Sequence, residues 1–177
     1  SACAVCDGFF YRGQEVAVVG AGDSACEEAS YLAKLCTKVH MLVRRDQMRA
    51  SKAMQHRVMG LDNIQIHWNT ETVDILGAEQ VEGAKVRNNQ SGEETILPVT
   101  GFFLAIGHKP NTDIFAGQID LDAEGYIVPA KPGSSHTNAE GVFWSGDACD
   151  KTYRQAVTAA GTGCMAALDA ERYLAEK

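Results

Sequence analysis

One short segment constrains this chain more than any other: Glu15-Val-Ala-Val-Val-Gly-Ala-Gly-Asp-Ser-Ala25. Glu15–Val19 is a valine-rich run, the pattern of a parallel strand buried on both faces. Gly20-Ala21-Gly22 makes a turn. From Ser24 to about Cys36, Ala25, Ala29, Leu32, Ala33 and Cys36 recur at helical spacing, and Lys38–Val43 is strand-like again. Strand, glycine turn, helix and strand within roughly thirty residues form a βαβ unit, which demands a parallel sheet.

Inside that unit, Gly20-x-Gly22-x-x-Ala25 has the spacing that lets a backbone hold a dinucleotide. The first glycine permits the tight turn. The second lets the chain approach a pyrophosphate, and Ala25 is small enough for close helix–strand packing. The helix that follows offers free N–H groups to phosphates. In NAD sites the second strand usually ends in Asp or Glu for the ribose 2′-hydroxyl. Here it ends in Val43-Arg44-Arg45, with Arg49 and Lys52 close behind. Guanidinium groups suit a dianionic 2′-phosphate, so the expected nucleotide is NADP(H) and not NAD(H). The alternative is a solvated basic turn or helix face.

Directly before this motif stands Cys3-Ala-Val-Cys6-Asp7. Two residues between thiols allow a small disulfide ring, and a helix start stabilises the thiolate that performs exchange. The rival is half of a zinc site. A structural zinc takes four ligands. There is no second Cys-x-x-Cys, and His40, His56, His67, His108 and His136 show no paired ligand spacing. Redox chemistry without a metal is therefore expected. Asp7 either caps a helix or shuttles protons for Cys6. Cys26, Cys36, Cys149 and Cys164 fall in apolar or helical stretches and read as buried packing thiols. In this order the motifs describe electrons passing from a nicotinamide cofactor to a disulfide.

Further along, the pattern predicts a helix over Lys52–Met59 and a strand over Ile64–Trp68. It also predicts a hairpin of Val81–Arg87 and Glu94–Leu97 around Asn88-Asn89-Gln90-Ser91-Gly92, and a buried strand over Gly101–Ile106. Gly107-His-Lys-Pro-Asn111 breaks the chain and sets a domain boundary, 1–110 and 111–177. Beyond it, Val142–Ser145 reads as a strand and about Tyr153 to Leu174 as a long helix. Gly146-Asp147 and Arg154-Gln155-Ala156 either present an acid and N–H groups to a second ligand or form a plain loop. Gly161 and Gly163 each cost that helix about 1 kcal/mol relative to alanine, which predicts close packing against a strand or ligand. Sixteen Lys and Arg against 23 Asp and Glu leave a net charge of −7, which disfavours nucleic acid. No apolar run approaches the ~18 residues of a membrane span and no signal-peptide segment opens the chain, so no membrane is expected and the expected compartment is the cytoplasm.

Together these motifs resemble bacterial low-molecular-weight thioredoxin reductases, which are flavoprotein disulfide reductases. The resemblance runs from Ser1-Ala-Cys-Ala-Val-Cys-Asp-Gly-Phe-Phe10 through Gly146-Asp-Ala-Cys-Asp150 and Tyr153-Arg-Gln-Ala156 to Gly161-Thr-Gly-Cys-Met-Ala-Ala-Leu-Asp-Ala-Glu-Arg-Tyr-Leu174. It implies an α/β fold: a Rossmann-like NADPH domain, whose parallel sheet carries a β-hairpin layer, plus the C-terminal part of a second Rossmann-like FAD domain. It implies FAD and NADP(H) as cofactors, thioredoxin as partner, and a homodimer. Carried across, Cys3 attacks the thioredoxin disulfide, Cys6 faces the flavin and Asp7 donates the proton. Gly20, Gly22, Ser24, Arg44, Arg45 and Arg49 hold NADPH. Asp147, Arg154, Gln155 and Ala156 touch FAD. Asp23, Ala25, Ile106, Gly107 and Gly146 complete the cofactor-binding set. Val5 and Val43 stand where the family commonly has Thr and His, and neither position supplies essential chemistry. The family's N-terminal FAD-binding strand, turn and helix have no counterpart here. The expectation is that this polypeptide alone neither holds FAD tightly nor turns over. The rival readings are a peroxide-defence flavoprotein reductase of the same superfamily and a non-catalytic NADPH-binding module.

Overall fold

The computed structural model describes all 177 residues, Ser1–Lys177. The chain divides into two compact units, Ser1–Gly107 and His108–Lys177. The first unit runs α1 (Ala4–Asp7), β1 (Glu15–Val19), α2 (Asp23–Leu32), β2 (Lys38–Val43), α3 (Lys52–Met59) and β3 (Ile64–Trp68). It continues through β4 (Thr70–Leu76), β5 (Gly83–Asn88), β6 (Glu94–Leu97) and β7 (Gly101–Leu104). In the second unit the one α-helix is α4 (Ala156–Ala175).

Four strands form a parallel sheet in the order β3-β2-β1-β7, and β4-β5-β6 form an antiparallel sheet. Alternation along each strand sends neighbouring side chains to opposite faces. Val16, Val18, Val39, Met41 and Phe103 pack under Ala25, Cys26, Ala29 and Leu32 of α2 and Val58 of α3. Ala17, Leu42 and Phe102 pack on the other face, against Ala84, Val86 and Leu97 of the antiparallel sheet. Both faces of β1 are thus covered, and Val16, Ala17 and Val18 are fully buried. This is a Rossmann-like α/β layering. The antiparallel sheet occupies the crossover from β3 to β7, and β7 returns on the far side of β1. The strand order therefore reverses at the carboxyl ends of β1 and β7, where such folds bind ligands.

Several elements differ from the sequence expectation. The helix expected to reach Cys36 ends at Leu32, because Lys34 and Leu35 close tight turns onto Tyr31 and Leu32. The strand expected over Gly101–Ile106 stops at Leu104. The hairpin gains an unexpected third strand, β4, on the free edge of β5. Val142–Ser145 is not a strand; it contributes one bridge, Phe143 to His136. The long helix starts at Ala156, later than expected. The Asp150 carboxylate captures the N–H groups of Thr152, Tyr153 and Arg154 at 2.8–2.9 Å, and Arg154 adopts φ 48°. The protein offers no close packing at Gly161 or Gly163: a methyl group added at either meets no atom within 4 Å. No residue of α4 is fully buried. Cys164 is accordingly exposed and Cys149 half-buried, whereas Cys26 and Cys36 are buried as expected.

The sheet also pairs two histidines that no sequence spacing links. On the face toward the antiparallel sheet, His40 Nε2 lies 3.0 Å from the Glu15 carboxylate, and His40 Nδ1 lies 3.0 Å from His67 Nε2. The carboxylate accepts from His40 Nε2–H, so Nδ1 is left as acceptor for His67 Nε2–H. Both rings are held neutral. Burial pushes the His40 pKa down against the raising effect of Glu15. Burial, His40 and Lys38 push His67 from 6.5 down to about 4. A folded value below the unfolded one means protons favour unfolding. Stability is complete above the unfolded value of 6.5 and is lost as pH falls toward about 4. Because His67 is partly exposed, the loss is about 1–2 kcal/mol. Urea unfolding followed at pH 7 and pH 4.5 should show this decline, and His67→Gln should flatten it.

Candidate functional site

Cys3 and Cys6 form a disulfide with their Cα atoms 5.3 Å apart. The short helix α1 sets that distance: Cys3 is its N-cap, and Cys6 N–H donates to Cys3 Sγ at 3.2 Å. Ahead of it, Ser1 N donates to Phe102 O, and Leu104 N donates to Ser1 O, both at 2.8 Å. The leading residue thus lies along the free edge of β7. On the other side α1 packs on α2, with Ala4 only 1% exposed. Gly8 allows this approach, since a Cβ there stands 2.9 Å from Leu32. Cys6 is exposed, and so are Val5, Phe9 and Phe10 around it. Asp7 is half-buried and makes no capping hydrogen bond, so the capping alternative is not realised.

Beneath this segment, Glu28 of α2 has a buried carboxyl oxygen with no hydrogen-bond partner. Burial raises its pKa, and the Ala4 amide opposes that shift. Burial also raises the two core thiols, Cys26 to about 11. Both therefore stay protonated near neutral pH and do not compete in exchange.

The other end of α2 carries the glycine turn. Gly20 has φ 148°, and a Cβ there collides with the Ala105 carbonyl and lies 2.7 Å from Ala25 Cβ. Gly20 and the fully buried Ala25 are both required because this turn passes directly against the end of β7. Gly22 differs. Its φ is −92° and a Cβ there points into open space. It is the N-cap of α2, and the amides of the first turn have no helical partners. Ser24 is exposed beside it.

The turn is stitched to the basic loop. The Ala21 carbonyl accepts from Arg49 N at 2.8 Å and from Ala50 N at 3.0 Å. Asp23 Oδ1 accepts from Ser51 N at 2.7 Å. Asp23 therefore fixes the loop, a role that its position in the glycine motif does not announce.

A cavity of about 560 Å³ opens at this point. Gly20, Arg44, Arg45, Arg49 and Ile106 line it. None of the three arginines makes an ion pair, whereas Glu71 on the wall is paired with Arg87 at 2.8 Å. The site is locally cationic in an acidic chain and suits an anion. Gly107 lies outside this lining, with φ 102°. The wall formed by Thr70, Glu71, Thr72 and Ile75 belongs to β4, which the sequence reading missed. The signal was the β-branched content of Thr70–Leu76.

In the second unit, Gly146 (φ 66°) donates its N–H to Thr162 Oγ1 at 2.9 Å, and Asp147 is exposed without a hydrogen bond. Arg154 reaches Tyr126 Oη at 3.2 Å, Gln155 N donates to Thr158 Oγ1 at 3.2 Å, and Ala156 begins α4. A cavity of about 510 Å³ in this unit is lined by Trp144, Cys149, Tyr153 and Met165 among others, and by none of those five residues.

A parallel-sheet dinucleotide fold with a disulfide packed on its first long helix defines a class of pyridine-nucleotide-linked redox proteins. A family model described as pyridine nucleotide-disulphide oxidoreductase matches residues 1–163, and the chain belongs to that family. It is 55% identical to "NADPH-dependent thioredoxin reductase 3" of Arabidopsis thaliana over 98% of this chain and 34% of the relative. It is 52% identical to a thioredoxin reductase of Streptomyces coelicolor over 98% of this chain and 53% of the relative. The crystal structure of thioredoxin reductase from Streptococcus pyogenes superposes with a TM-score of 0.90 at 36% identity, covering 100% of this chain and 57% of that one. The chain spans about half the length of the Streptomyces and Streptococcus proteins and about a third of the Arabidopsis one. None of its helices is long and apolar enough to cross a membrane.

The two glycines of the turn should separate in a stability test. Gly20→Ala meets both positive φ and a backbone collision, and should cost about 2–4 kcal/mol. Gly22→Ala meets neither and should cost no more than about 1 kcal/mol. Chemical denaturation of the two variants measures the difference.

Proposed function

We propose that this chain carries the NADPH-binding and disulfide-exchange machinery of a thioredoxin reductase. The observation that carries the reading is that one helix, α2, bears the open glycine turn at its start and the Cys3–Cys6 segment along its side. The site fits NADPH. Gly22 leaves room for a pyrophosphate on the free amides of α2, with Gly20, Asp23, Ser24 and Ala25 shaping the turn. Arg44, Arg45 and Arg49 offer unpaired guanidiniums to the 2′-phosphate. Ile106 lines the same cavity, and Gly107 follows it at φ 102°.

FAD, when bound, relays two electrons between the nicotinamide and the disulfide. The chain's share of that site is Gly146, Asp147, Arg154, Gln155 and Ala156, where the unpartnered Asp147 carboxylate and the first turn of α4 supply an acceptor and donors. Reduction breaks the Cys3–Cys6 bond, and two electrons with two protons leave two thiols. Asp7, uncapped beside Cys6, holds the proton exchanged at Sγ. The Cys3 thiolate then attacks a disulfide of thioredoxin. A mixed disulfide forms and one partner thiolate leaves. Cys6 attacks Cys3 Sγ, the Cys3–Cys6 bond re-forms, and the partner departs as a dithiol. The resemblance further supports a homodimer and a cytoplasmic setting.

The test is NADPH oxidation, with FAD and oxidised thioredoxin, by this chain joined to the N-terminal segment of one of its thioredoxin reductase relatives. Turnover that vanishes in both Cys3→Ser and Cys6→Ser supports the reading. Tight NADPH binding without flavin uptake or turnover supports a non-catalytic nucleotide module instead. Independently, Arg45→Ala should weaken NADPH about tenfold or more by removing charge-assisted bonds, and leave NADH within about twofold. Fluorescence titration with each nucleotide reads this out.

A further inference from the structure

The hairpin loop Asn88–Gly92 is a marked feature of the sequence with no part in the chemistry above. It reaches back to the arginine pair. Asn89 Nδ2 donates to the Arg44 carbonyl at 2.8 Å. Asn89 N–H donates to the Asn69 carbonyl at 2.7 Å, and Asn69 N–H donates to the Arg45 carbonyl at 3.1 Å. Arg44 O, Asn89, Asn69 and Arg45 O thus form a closed circuit of three hydrogen bonds. Asn69 occupies it at φ 54°, a left-handed conformation that asparagine tolerates better than most residues.

The circuit sits where it matters for the arginines. Consecutive residues of a strand point to opposite faces. Arg44 and Arg45 nevertheless both line one cavity. This is possible because the chain bends immediately after β2 ends at Val43. The circuit takes up both carbonyls of the bent dipeptide from behind. Both guanidiniums remain without an ion-pair partner, so their placement rests on the backbone. Asn89 is itself exposed and does not line the cavity.

We propose that Asn89 is a positioning residue for nucleotide specificity: by holding the Arg44–Arg45 bend, it sets the preference for a 2′-phosphorylated dinucleotide. This rests on the NADP(H) reading above. The phosphate-binding turn at Gly20–Ser24 is held by different bonds, through Ala21 and Asp23. Loss of the Asn89 bond should therefore act on the 2′-phosphate contact and spare the pyrophosphate.

The experiment is fluorescence titration of the full chain with NADPH and with NADH. The wild type, Asn89→Ala and Gln90→Ala are compared, with thermal unfolding of each. Gln90 shares the loop, but its side chain makes no hydrogen bond. Asn89→Ala should weaken NADPH by about three- to tenfold, the effect of one hydrogen bond on placement, with NADH unchanged. Gln90→Ala should match the wild type. Equal weakening of both nucleotides, or an unchanged NADPH-to-NADH ratio, overturns the role of Asn89. A wild type with no preference for NADPH overturns the NADP(H) reading itself, and with it this proposal. If Asn89→Ala unfolds, Asn89→Ser, which keeps a shorter donor, should give an intermediate ratio, and a wild-type ratio there overturns the role.

Discussion

The site depends on the Ala21 carbonyl. It accepts two amides from the basic loop, at 2.8 and 3.0 Å, while Asp23 takes a third at 2.7 Å. Each such bond is worth only about 1 kcal/mol net. Their importance is geometric. The glycine turn follows β1, and the arginines follow β2, so a parallel sheet brings both to one edge but leaves their loops independent. The three bonds make the two loops one surface. With Ala21 O and the Asp23 carboxylate engaged, the three unpaired guanidiniums stand beside the free amides that open α2.

The same helix serves two ends. Its start is the N-cap at Gly22, and its side supports Ala4 and Gly8 beneath the disulfide. Glycine or alanine stands at three close approaches: Gly8 against the Leu32 side chain, Ala25 against Gly20, and Gly101 against the Tyr11 ring. This small-residue pattern lets the elements approach without strain. A rigid element of this kind holds its attached groups more precisely than a loop does.

How much of this was legible in the sequence varied with the physics of each element. β1, β2, α3 and β3 appear with the expected bounds because each has one clear period and a turn or cap at its ends. β4 was legible only in its β-branched content: Thr70–Leu76 is stabilised by pairing with β5, and its half-exposed residues lack a clean alternation of burial. Val142–Ser145 failed for the opposite reason, being apolar enough for a strand but without a neighbour to pair with beyond one bridge. The start of α4 was hidden because Asp150 competes for the amides that a helix would use. The glycine motif and the arginine pair were legible as residues. The bonds that join them were not, because Asp23 to Ser51, Asn89 to Arg44 and His40 to His67 all depend on tertiary register.

The contact between Ser1 and the edge of β7 has an architectural consequence. Ser1 is bonded to Phe102 and Leu104 on one side, while Ala4 and Gly8 rest on α2 on the other. The disulfide segment is therefore moored at both its flanks, to a strand edge and to a helix. Opening the Cys3–Cys6 bond frees two sulfur atoms without freeing the backbone that carries them.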